Sequence, residues 1–331
     1  MERVAPAVLI AGPTASGKSQ LALRLAEALA PFGGGRIINA DSMQVYRELR
    51  IVTARPSAAD EARVPHWLYG SLSVLEVCSA GRWRAMALAE IEAARRDGVV
   101  PILVGGTGLY FNALVKGLAP VPPISAEVRA EARARLKELG IDAFRAELVA
   151  RDARSAESIR PTDTQRLVRA WEVIEATGTP LHEWQRRQPL GEDASLGRHA
   201  KVLLLPERER VNAAIDARVP RMVEEGVYAE VAAFDALGPG EDLPATRAVG
   251  VPEFRAWVRG VVPEAEAVAA VRQATRRYAK RQYTWFRTQA PDWPVFGAGT
   301  AETTRQYLES MVAEVFPFIR EFLLTPLAAS D

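Results

Sequence analysis

Four short apolar runs punctuate the chain. Ala7-Val8-Leu9-Ile10-Ala11, Arg36-Ile37-Ile38-Asn39-Ala40, Val99 to Val104 and Lys201-Val202-Leu203-Leu204-Leu205 have the length and continuity of strands buried on both faces. Helical spacing fills the intervals: Leu21, Leu25, Ala28 and Leu29 after the first run, then Ala85, Leu88, Ala89 and Ile91 in a helix starting near Ser79. Alternating strand and helix predicts a parallel α/β sheet. A shorter strand is predicted at His66-Trp67-Leu68-Tyr69, between Pro65 and Gly70, and an apolar helix over Leu109 to Leu118.

The pattern changes at Pro120, Pro122 and Pro123. Periodicity over Glu127 to Leu139, Ala143 to Arg151 and Thr164 to Ala176 predicts helices with no strand among them, and the polar, Gly-containing stretch Gln188 to Arg198 reads as a return linker. Strand character resumes at Lys201. An all-helical insertion, residues 123–198, therefore interrupts a core made of residues 1–122 and 199–331. Beyond it, Val211, Ile215, Val219, Met222 and Val223 line a helix that Pro220 should kink or split, with Arg210 and Arg218 on its other side. Ala267 to Gln289 reads as a long helix, and Tyr307 to Phe322 as a terminal one bent at Pro317, with fraying after Pro326.

Composition narrows the class. The 331 residues are 48% apolar and 25% charged, the profile of a soluble globular protein. No apolar run approaches a membrane span, and the first residues lead into a loop without a signal-peptide pattern. The single cysteine, Cys78, excludes an internal disulfide and a multi-Cys zinc site and fits a reducing cytoplasm, with Cys78 as buried filler. Net charge is +1, but Ala267 to Pro291 carries six Lys or Arg and no acid, a local basic surface.

The chemistry begins after the first strand. Gly12-Pro13-Thr14-Ala15-Ser16-Gly17-Lys18-Ser19 matches G-x-x-x-x-G-K-[ST] in the required strand, loop, helix order. Its backbone N–H groups and the helix N-terminus cradle phosphate, Lys18 reaches the outer phosphate, and the Ser19 hydroxyl is placed to hold Mg²⁺. The next two strands end in Asp41-Ser42-Met43-Gln44 and in Gly105-Gly106-Thr107-Gly108, and ligands gather at the carboxyl ends of parallel strands. Asp41 is either a Mg²⁺ ligand or a base acting on an acceptor. A kinase ordinarily adds a second acid after another strand, and Gly105 to Thr107 supplies none, which weighs against ATP-driven phosphoryl transfer.

Five blocks in order, namely the phosphate loop, Asp41-Ser42-Met43-Gln44-Val45-Tyr46, Gly105-Gly106-Thr107-Gly108-Leu109-Tyr110, Asp163 to Ala170 and Arg276 to Arg287, closely resemble the tRNA dimethylallyltransferase family over nearly the whole chain. The resemblance implies a P-loop NTPase-like core and transfer of a dimethylallyl group from dimethylallyl diphosphate to the exocyclic amine of the adenosine 3′ of the anticodon. It implies that Asp41 takes the amine proton, Thr107 hydrogen-bonds the departing oxygen, and Arg218 adds a cation to the diphosphate. By the same resemblance Ser42, Met43, Gln44, Arg129, Gln165, Arg166, Leu167, Val168, Arg169, Arg247, Gly250, Lys280, Arg281 and Arg287 contact tRNA. The partner is the anticodon stem-loop, the cofactor Mg²⁺, and the working form a monomer. This chain departs from the usual pattern at Val52, Trp67, Val251 and Pro252. The competing readings are an ATP-dependent small-molecule or nucleoside kinase, an adenylate isopentenyltransferase, and a non-enzymatic RNA-binding protein.

Overall fold

The structure, a computed structural model, describes residues 6–188, 191–298 and 303–325, so the tail expected to fray after Pro326 lies outside them, as do two residues of the return linker. The chain forms two compact units, residues 1–114 with 194–331, and residues 115–193.

In the first unit the elements run β1 (Ala7–Ala11), α1 (Lys18–Ala28), β2 (Gly35–Asn39), α2 (Ala58–Arg63), β3 (His66–Trp67), α3 (Ala80–Arg96), β4 (Val100–Gly105) and α4 (Gly108–Val115). All strand pairs are parallel, and the sheet order is β3-β2-β4-β1 followed by β5 (His199–Leu204) and β6 (Val295–Phe296). The phosphate-loop strand is thus central, and the predicted third strand is real but only two residues long. Val8, Ile10, Ile102, Val104, Val202 and Leu204, alternate positions on their strands, pack with Leu21 and Leu25 of α1. Their neighbours Leu9, Leu103 and Leu203 are equally buried, so both faces of the sheet are covered and the strands need continuous apolar sequence. Helix α3 packs on β2 and β4, its first turn capped by the Ser79 hydroxyl, which accepts the Arg82 N–H.

The second unit holds α5 (Ala126–Ser158), α6 (Thr164–Thr177) and α7 (Leu181–Arg186). Within α5 the backbone leaves helical geometry at Gly140 (φ 73°) and Asp152 (φ −147°), the gaps between the periodic segments. Phe144, Leu148, Leu167 and Trp171 form its core.

The chain returns to the first unit through β5, then α8 (Arg208–Glu224), α9 (Val227–Ala236), α10 (Val251–Val258), α11 (Glu264–Gln289) and α12 (Thr304–Leu324). Helix α8 is not split at Pro220 but runs through it. A proline removes one helical N–H and so leaves the Asp216 carbonyl short of a donor, and Arg272 of α11 supplies one at 3.4 Å. Helix α12 likewise continues through Pro317 and lies against α1. Cys78 is half-buried rather than buried, its sulfur accepting the Tyr110 hydroxyl at 3.5 Å. Among the described residues no helix is long and apolar enough to cross a membrane.

Candidate active site

Strands β2, β4 and β1 are adjacent, so the loops at their carboxyl ends meet. The turn after β1 closes through two left-handed residues, Ala15 at φ 61° and Gly17 at φ 85°. Gly17 starts α1, whose first turn holds no acid, so its N–H groups and the positive end of its dipole stay available to an anion. Ser16 is 1% exposed, and its Oγ has no partner among the described residues. A buried hydroxyl left unpaired in this turn is a group that an anion would satisfy. Lys18 Nζ donates to the Pro13 carbonyl at 3.0 Å and so folds back over the loop. Burial lowers its pKa to about 8; the Asp41 carboxylate opposes that change and the Arg218 guanidinium adds to it. Ser19 is exposed on the first turn of α1.

Asp41 is oriented by backbone and side-chain bonds together. Buried Asn39, at the end of β2, accepts the Asp41 N–H at 2.8 Å and donates to the Asp41 carbonyl at 2.9 Å and the Leu68 carbonyl at 3.1 Å. Asp41 Oδ1 then accepts the Met43 N–H at 2.9 Å. Thr107, the residue before α4, stitches the second loop to the third: its Oγ1 accepts the Ser42 N–H at 2.9 Å and donates to Ser42 Oγ at 3.3 Å. Gln44 donates from Nε2 to the carbonyls of Thr53 (2.8 Å) and Ala54 (3.0 Å).

Arg218 reaches the phosphate loop from α8, with both terminal nitrogens 3.1 Å from Thr14 Oγ1. Asp216, the acid sequence proximity would pair with it, binds Arg276 at 2.6 Å instead. Burial lowers the Arg218 pKa to about 10, Arg221 adds to this, and Asp41 counters it. Among the described residues Asp41 is the acid that acts on both Lys18 and Arg218, an arrangement that favours a polyanion.

Helix α11 contributes residues that motif reading left unassigned. Gln282, 5% exposed, accepts the Thr14 N–H through Oε1 at 2.8 Å and donates from Nε2 to the Gly106 carbonyl at 2.8 Å. The Tyr278 hydroxyl pKa is pushed up by burial and then by Asp41. The Trp285 ring lies against Gly108, where a Cβ would come within 2.1 Å of it. The i, i+4, i+7 spacing of Tyr278, Gln282 and Trp285 was the available signal.

On the same helix Lys280, Arg281 and Arg287 are exposed, with Arg281 over the Tyr278 ring at 5.6 Å and Arg287 over Tyr283 at 6.0 Å. Arg247 is exposed too. Gly250 is buried: its N–H donates to Glu253, its φ is 95°, and a Cβ would lie 2.8 Å from a Val52 methyl. The departure at Val52 thus falls against Gly250, the residue before the departure at Val251. In the helical unit Arg129, Gln165 and Arg166 are exposed, Val168 and Arg169 half-buried, and Arg169 lies 3.4 Å from Glu172. Leu167 and Gly250 need correction as tRNA-contacting residues. Leu167 is 0% exposed because it faces the core of its amphipathic helix, and Gly250 serves the turn into α10.

The IPP transferase family model matches residues 44–289. The tRNA dimethylallyltransferase of Rhodospirillum centenum is 52% identical over 289 residues, 87% of this chain and 90% of its own. The chain belongs to the tRNA dimethylallyltransferase family. That of Parvibaculum lavamentivorans is 48% identical over 98% of this chain and 99% of its own. Among solved structures, the tRNA isopentenylpyrophosphate transferase of Bacillus halodurans is 32% identical, covers 96% of both chains and superposes with a TM-score of 0.66. A eukaryotic dimethylallyltransferase acting on tRNA, 23% identical over 99% of this chain and 81% of its own, shares the fold at a TM-score of 0.81. The P-loop-like core is therefore a property of tRNA dimethylallyltransferases that this chain shares.

Proposed function

We propose that the protein transfers the dimethylallyl group of dimethylallyl diphosphate to the exocyclic amine of the adenosine immediately 3′ of the anticodon in tRNA, releasing diphosphate. The carrying observation is the one carboxylate, Asp41, set in the field of two cations on a phosphate loop and backed by Thr107 rather than by a second acid. In this reading the amine nitrogen attacks the allylic carbon, the carbon–oxygen bond breaks, and the electron pair leaves on the diphosphate. Asp41 accepts the proton the amine loses. Loop N–H groups, Lys18 and Arg218 stabilise the charge developing on the leaving oxygen, and Thr107 hydrogen-bonds it.

Among the described residues no cluster of three or more His, Cys, Asp or Glu is built to hold a metal ion. The loop offers one exposed hydroxyl, Ser19, which would hold a Mg²⁺ brought by the diphosphate. When bound it would supply further charge neutralisation to the leaving group. The exposed residues of the binding set, Arg129, Gln165, Arg166, Arg247, Lys280, Arg281 and Arg287, would contact the anticodon stem-loop. In this reading the protein acts on its tRNA as a monomer in the cytoplasm.

The test is incubation with dimethylallyl diphosphate, Mg²⁺ and an anticodon stem-loop, followed by mass spectrometry of the nucleosides. A five-carbon gain on one adenosine is expected. Asp41→Asn should retain tRNA binding and slow transfer by roughly 10²-fold or more. Phosphorylation of a small acceptor by ATP, with no prenyl transfer, would overturn the proposal in favour of a kinase.

A further inference from the structure

Gln282 is not a surface residue of the RNA-facing helix but a buried strut between two loops. Its amide both accepts and donates, on backbone groups of different loops. The Gly106 backbone approaches so closely that a Cβ there would lie 2.2 Å from Gln282 Nε2. The acceptor side holds the Thr14 N–H, so this amide is withdrawn from the ring of donors that faces a phosphate. What Thr14 offers instead is its hydroxyl oxygen, which takes both terminal nitrogens of Arg218. The donor side holds Gly106, whose neighbour Thr107 binds the Asp41 loop through Ser42. A continuous path therefore runs from Arg218 through Thr14 and Gln282 to Gly106 and Thr107. One turn further along α11, Trp285 packs on Gly108 and so pins the same loop.

We propose that Gln282 is a positioning residue for the transfer reaction, fixing Arg218 on the phosphate loop and Thr107 opposite it in one register. The inference rests on the transfer reading above. Gln282 touches no reacting atom; it acts through Thr14 and Gly106. Removing its amide leaves the half-buried Thr14 N–H and the buried Gly106 carbonyl unpaired, and either loop shifts to find water. The cation and the hydroxyl then no longer converge on the leaving oxygen.

Two variants test this. Gln282→Met keeps length and removes both bonds; it should lower kcat by roughly tenfold or more, the usual scale for an orphaned buried pair, with the Kd for stem-loop RNA unchanged. In an Arg218→Gln background the same substitution should cost less than it does in wild type, because one of the two groups it positions is already gone. Gln282→Glu is isosteric and keeps the fold in question out of the comparison. As a carboxylate it cannot donate to Gly106, but once protonated it presents one donor and one acceptor as the amide does. Its kcat relative to wild type should therefore rise as pH falls. Independent, multiplying effects of the two substitutions, a Gln282→Glu deficit that does not change with pH, or loss of RNA affinity in step with kcat would overturn the proposal. Absence of prenyl transfer by the wild-type protein would instead refute the transfer reading, so the two failures are distinguishable.

Discussion

Lys18 provides a quantitative test of the cradle. Buried against Pro13 and beside Arg218, it titrates near pH 8 in the ligand-free protein. A bound diphosphate restores the charged form, so binding above that pH must take up a proton. With the free pKa at about 8, mass action gives a loss of affinity of roughly tenfold between pH 7 and pH 9. The sign for stability is opposite. Because the folded-state pKa lies below the unfolded value, the unfolded chain binds the extra proton between about pH 8 and 10.5, so the cost of burying Lys18 is full below this window and is relieved as pH rises through it. The assay is isothermal titration with a non-reacting analogue of dimethylallyl diphosphate, in buffers of different ionisation enthalpy, on wild type and Lys18→Met. The variant, neutral at every pH, should lose the extra proton uptake along with roughly 10- to 100-fold of affinity at pH 7, the range for a charge-assisted contact. It should also melt higher than wild type when ligand-free at pH 7. Equal proton uptake in the two proteins would refute the reasoning, since the titration would then belong to the ligand.

Three further outcomes follow from packing and charge. Gly105→Ala would drive a Cβ to 2.0 Å from the Ala40 carbonyl, parting the ends of β4 and β2; a stability loss of about 1–3 kcal/mol in urea melts, with slowed transfer, is expected, and a silent variant would contradict the close approach. Arg281→Gln, at an exposed position on α11, should weaken stem-loop binding and reduce its salt slope by about 1, measured by fluorescence anisotropy across a salt series. Leu167→Ala should cost about 2–5 kcal/mol in unfolding of the helical unit, because a fully buried leucine leaves a cavity, and a stability near wild type would return Leu167 to the surface.

Much of this was legible in the chain, and the limits are physical. Continuous apolar runs and the turn from Gly12 to Ser19 determined the parallel core by themselves, because two-sided burial and a tight phosphate turn each demand particular residue types locally. The helical breaks at Gly140 and near Asp152 were equally local. Three things depended on tertiary structure. Pro220 was read as a kink or a split because a lone helix cannot replace a missing N–H, whereas a neighbouring helix brings Arg272 to the freed carbonyl. Arg218 could equally have paired with Glu225 or Asp216 nearby in sequence, but α11 presents Arg276 to Asp216, and Arg218 reaches Thr14. Gln282 looked like one more polar residue on a basic helix. Its role exists only because the fold brings residues 268 and 176 positions away in sequence to either side of one amide, and no pattern along a single element records a contact made across that distance.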